Sequence, residues 1–193
     1  YATVLLFYNT KMFKEAGVEM PNKEWTWDSM LAAAQKFVKD DNGDGVNDIW
    51  GVGIYGMDGW YWQHLLKSYG GDYVVVDGEG CLLDKPESVQ GLTYIQDLIY
   101  RHKVMPKPAD IAAMGMTAMF ASGKVAMCMG PEWVRYEVKP AHETEGFEYG
   151  VALLPSGPKG RVTGYWPGIT SITSSAKAPD AAWEVAKFIS GDT

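Results

Sequence analysis

The sequence predicts an α/β fold, on three observations. Short apolar runs of strand length alternate with segments whose apolar residues recur at helical spacing, along nearly the whole chain. Turn and cap residues fall at the junctions between them, as at Gly17, Gly70-Gly71, Asp77-Gly78, Pro86 and Pro179. The composition is that of a chain with a real core: 193 residues, 47% hydrophobic and 21% charged. That balance excludes disorder and collagen-like structure. No repeat of 20–50 residues and no Pro/Ser linker is visible, so the length suggests one domain and a fraction.

The elements follow in order. Val4 to Asn9 reads as a buried strand, and the helix after it stops at Gly17. Thr26 is a good N-cap for a helix over 27–39, whose apolar face is Met30, Ala33, Ala34, Phe37 and Val38. After an Asp/Gly loop, 49–56 is a second strand and Trp60 to Tyr69 a helix. Residues 72–83 form a hairpin turning at Asp77-Gly78. Pro86 opens a helix that buries Val89, Leu92, Ile95, Leu98 and Ile99. A helix over Ile111 to Ala121, a strand from Val125 to Met129 and a helical turn from Pro131 come next, and 139–146 is the least regular stretch. Residues 147–155 and 168–173 are strands, and Pro179 starts the closing helix.

A net charge of -7 argues against nucleic acid or an anionic membrane as partner. Residues 111–130 carry one charge in twenty, but Ser122 and Gly123 divide them into helix and strand rather than a membrane span. The two cysteines lack CxxC spacing and read as unreactive structural thiols. His64, His102 and His142 stand apart, without zinc spacing, and no nucleophile elbow, dinucleotide fingerprint or phosphate loop occurs. The methionines at 114, 116, 119, 127 and 129 read as core filling. The chain begins in strand-like sequence rather than a leader, the mark of a piece of a longer protein.

One loop resembles a metal site. Asp40, Asn42 and Asp44, followed by Gly45 and Asp48, match the opening positions of a calcium loop. The twelfth position is Gly51 rather than a bidentate Glu, and a solvated turn explains the same residues. No cofactor is required; a structural calcium is the one candidate.

Aromatic residues are 13% of the chain, with 8 Trp. Trp25 and Trp27 flank an N-cap, Trp50 lies in a strand and Trp183 on a helix, all packing positions. Three other groups fall at strand-to-helix junctions or Gly-rich turns: Asp58 with Trp60, Tyr61 and Trp62; Glu132 with Trp133; and Trp166. Ligands of open α/β folds collect where strands end. Rings that cover the C–H face of a sugar, beside carboxylates that accept its hydroxyl protons, suit a carbohydrate site.

Four stretches resemble the solute-binding proteins of ABC sugar importers, the family typified by maltose-binding protein: Leu6 to Gly17 with Trp25 to Asp28; Phe120 to Met127 with Gly130 to Trp133; Tyr149 to Pro155; and Ala181 to Ile189. They run in family order over most of the chain. The resemblance implies a periplasmic-binding-protein-like (type II) architecture, of which this chain is the C-terminal lobe with part of the N-terminal lobe. Residues 1–8 are then a crossing strand between lobes, 9–165 the second lobe, and 166–193 a second crossing with a strand-helix piece of the first. It also implies a non-enzymatic receptor, periplasmic or lipid-anchored at the outer face of the cytoplasmic membrane, that captures a sugar between two lobes and delivers it to the permease subunits. A glycan-active enzyme, or a receptor for glycerol phosphate or polyamine, is the alternative.

Overall fold

The computed structural model describes residues 2–56, 59–75 and 80–191, without the side chains of residues 2, 60 and 61. Its centre is an open mixed sheet. Strand β1 (Ala2–Asn9) pairs antiparallel with β3 (Val125–Pro131) on one side and with β4 (Tyr149–Ala152) on the other. Strand β2 (Trp50–Ile54) lies parallel to β3, and the short β5 (Tyr165–Trp166) pairs with the start of β1.

Alternation along the strands makes two cores. Val4 and Leu6 of β1 with Met127 and Met129 of β3 face a large cluster. Helices α2 (Trp27–Gln35), α3 (Gly59–Tyr69) and α4 (Pro86–Tyr100) supply it, with Phe13 of α1 (Thr10–Ala16). Phe7 and Cys128, one step along the same strands, face a smaller cluster. It is built by α5 (Pro108–Met114) and α6 (Met116–Ala121), with Val134 of α7 (Val134–Glu137). Helices thus cover both sheet faces, as the predicted α/β class requires.

Local differences have local causes. The helix expected over 27–39 ends at Gln35, and Lys39 instead bridges Ile49. The helix expected over 111–121 is two, broken at Gly115, whose φ of 85° leaves the helical region. The polar stretch after 138 is a helix, α8 (Lys139–Glu145), closed by a left-handed Gly146. The hairpin is marked by the Val74–Cys81 bridge, while its turn at Asp77-Gly78 lies outside the described residues. No strand forms over 168–173; Ile169 there is 85% exposed, without a neighbouring strand to pair with. Met116, Met119, Met127 and Met129 are buried, but Met114 is exposed. Cys128 is buried and Cys81 is exposed rather than buried. Burial pushes the Cys128 thiol up, and the Glu137 carboxylate adds to the effect. Among the described residues no helix is long and apolar enough to cross a membrane. Helix α9 (Pro179–Ser190) closes the chain, with Trp183, Phe188 and Ile189 exposed.

Candidate functional site

Strand register brings two of the three predicted aromatic groups to one end of the sheet. Where β2 ends, the Tyr55 amide donates to the Met129 carbonyl at 2.8 Å. On the neighbouring β3, Pro131 lies opposite Val4, and the Glu132 amide donates to the Thr3 carbonyl at 3.0 Å. Thr3 and Ala2 in turn pair with Tyr165 and Trp166. The same rim therefore holds Tyr55, Glu132 with Trp133, and Tyr165 with Trp166. It is the carboxyl end of the parallel pair β2 and β3, where open α/β sheets bind ligands.

Each rim aromatic is held by its surroundings. Trp133 is half-buried and meets the Tyr55 ring edge-on, with centroids 6.3 Å apart at 85°. The Tyr55 hydroxyl donates to Glu137 Oε1 at 2.6 Å, and the Thr117 hydroxyl donates to the other carboxylate oxygen at 2.5 Å. Trp166 is half-buried, and its indole lies against Gly164, where any Cβ would overlap the ring. The segment carrying it is anchored by Thr163, whose hydroxyl donates to the Val4 carbonyl at 2.7 Å and accepts from the Val4 amide at 3.2 Å. Arg135, the nearest cation by sequence, folds back over the Tyr136 ring at 4.4 Å.

The third group is only partly described. Asp58 lies outside the described residues; Trp60 and Tyr61 open α3, and their side chains are likewise outside. Trp62 packs against the main core with its ring edge toward Tyr73, 6.4 Å between centroids. Trp25 and Trp27 are buried, and the Trp27 indole N–H donates to Ser68 Oγ at 2.8 Å.

Sequence reasoning missed Tyr55, Glu137 and His64. Tyr55 directly follows β2, so a search of every strand end would have found it. Glu137 acts through Tyr55, which no spacing rule reveals. His64 is 1% exposed and stacks on Trp27, with centroids 6.4 Å apart at 29°. Burial holds its imidazole well below the usual range, at about 4.

The Asp-rich loop sits at the opposite end of β2 from this rim. Its oxygens serve the loop itself: Asp40 accepts from the Gly43 and Gly45 amides at 2.7 and 2.8 Å, Asn42 from Asp44 at 2.9 Å, and Asp48 from Asp41 at 2.9 Å. Among the described residues no group of three or more His, Cys, Asp or Glu side chains is arranged to hold a metal ion.

The family model for bacterial extracellular solute-binding proteins matches residues 1–193. The chain belongs to that family. As a solute-binding protein it is similar to the maltotriose-binding protein of Pyrococcus abyssi, 28% identical over 96% of this chain and 38% of that one. Its fold matches the substrate-binding protein Lmo0181 of Listeria monocytogenes, solved with cycloalternan, at a TM-score of 0.80 and 24% identity, covering 99% of this chain and 46% of that one. A solute-binding protein of Thermotoga lettingae, bound with α-D-tagatose, is 27% identical at a TM-score of 0.75, over 98% and 48% of the two chains. These matches support the type II binding-protein fold expected from the sequence. The solute-binding protein described here spans less than half the length of the relatives it matches.

Proposed function

We propose that this chain is the greater part of one lobe of a carbohydrate receptor serving an ABC importer. The observation that carries the reading is the convergence of Trp133 and Trp166 on one sheet rim, beside Glu132. Aromatic faces and carboxylates at a strand-end rim suit a neutral, hydroxyl-rich solute. The relatives are binding proteins, and two of the similar structures were solved with sugars bound. In this reading Asp58, Trp60, Tyr61, Trp62, Glu132, Trp133 and Trp166 contact the solute. Residues 9–165 form the second lobe, 1–8 and the region near 166 cross between lobes, and α9 joins the first lobe. The receptor is non-enzymatic, works outside the cytoplasm, either in the periplasm or lipid-anchored, and hands its solute to the permease subunits. The Asp-rich loop serves as a turn; a calcium ion there would brace that turn and stand apart from the solute.

The test is intrinsic tryptophan fluorescence of the full-length protein, titrated with maltotriose, tagatose and cycloalternan, and with glycerol 3-phosphate and spermidine as the competing classes. A saturable change with a sugar alone supports the reading. A response confined to glycerol phosphate or spermidine would overturn the carbohydrate assignment.

A further inference from the structure

Between α3 and residues 162–166 lies a cavity of about 260 Å³, with Gln63, His64, Lys67, Thr163, Tyr165 and Trp166 in its wall. His64 is the buried part of that wall, and neither ring nitrogen has a hydrogen-bond partner in the protein. A buried polar group left unpaired is costly, so a fold that keeps one at a cavity points to a group arriving from outside.

The polar neighbours are engaged elsewhere. The Trp27 indole N–H donates to Ser68, and the Ser68 hydroxyl donates to the Leu65 carbonyl at 2.6 Å. Thr163 is tied to Val4 on both sides of its hydroxyl. Gln63 accepts from the Tyr73 hydroxyl at 2.5 Å through its carbonyl oxygen, and its amide hydrogens remain to donate. Lys67 is ion-paired with Asp72.

The same partners define the ligand chemistry. With Lys67 compensated by Asp72, the wall offers no unbalanced cation to an anion. Burial keeps His64 neutral at pH 7, so the ring presents one donor and one acceptor. A hydroxyl group, which both donates and accepts, is the complement of such a ring. Trp166 supplies an apolar wall for C–H groups. The volume is below the roughly 300–1,000 Å³ of sites for whole small molecules, and so suits a single ring.

We propose that this cavity is a subsite for one neutral sugar ring of the bound solute, and that His64 reads a hydroxyl of that ring. The subsite rests on the carbohydrate reading above, and it adds a residue and a recessed position to it.

The experiment uses the full-length protein and its His64→Leu and His64→Gln variants, with maltotriose, tagatose and cycloalternan as probes. Titration calorimetry is expected to show a loss of tenfold or more for His64→Leu with whichever sugar the parent binds, and a smaller loss for His64→Gln. The thermal midpoint of His64→Leu should hold or rise, because an unpartnered polar group has been removed. In the parent, side-chain ¹⁵N spectra should show one His64 ring nitrogen moving on saturation with that sugar. Parent-like affinity in His64→Leu, or ring nitrogens unmoved at saturation, would overturn the subsite and leave a solvent-filled cavity. Failure of the parent to bind maltotriose, tagatose or cycloalternan would instead overturn the carbohydrate reading, and the subsite with it.

Discussion

A histidine buried neutral makes the folded state sensitive to acid. Burial lowers the folded pKa of His64 to about 4 from the ordinary 6.5, so below 6.5 the unfolded chain takes up a proton that the folded chain refuses. Stability from this residue is complete above pH 6.5 and is lost progressively as the pH falls toward 4, by about 3 kcal/mol. Urea midpoints followed from pH 7 to pH 4 should fall in the parent, and the His64→Leu series should run flatter. At the rim, Trp133→Ala is expected to weaken sugar binding by about thirtyfold, on the order of 2 kcal/mol. Glu137→Gln keeps the acceptor shape that holds Tyr55, and should cost only a few-fold in the same titration. Equal losses in the two variants would contradict a role for Glu137 exerted through the Tyr55 ring.

Helix α2 shows how much an element owes to its first residue. Thr26 Oγ1 accepts from the Ser29 amide at 3.2 Å, and Thr26→Ala should cost about 1 kcal/mol in a denaturant titration. Gly115 joins α5 to α6 at a φ of 85°, and Gly115→Ala should cost about 1–2 kcal/mol there, by strain alone. The Thr26 cap was legible in the sequence, because a threonine before Trp27 and an apolar period leaves little else. The break at Gly115 was hidden inside an apolar run whose period continues across it. Helix α8 was missed for the opposite reason: its residues are mostly polar and none is fully buried, so no periodicity marks it. The site divides in the same way. Trp133 and Trp166 could be placed at the ends of strands by eye, whereas His64 needs the fold to show that its nitrogens face no partner.

At the scale of the molecule, α9 and the residues before it behave unlike the rest. Phe188 is 74% exposed and Trp183 is 56% exposed, although the helix has the pattern of one meant to be covered. If 166–193 belong to the first lobe, hydrogen exchange over α9 should be fast in this chain alone and slowed by orders of magnitude in the full-length protein. Equal rates in the two would argue that α9 is an exposed appendage of the second lobe.

The central position of β1 has a consequence for how the chain is made. Phe7 waits for Cys128 of β3, about 120 residues later, which at roughly 5–20 residues per second is on the order of ten seconds of synthesis. Until then an eight-residue apolar strand has neither of its neighbours, β3 or β4, to pair with. Such long-range pairing is slow and prone to aggregation. A newly made chain of this topology therefore keeps β1 unpaired long enough to be captured by a holdase, and a strong local fold in the residues between β1 and β3 would work against that capture.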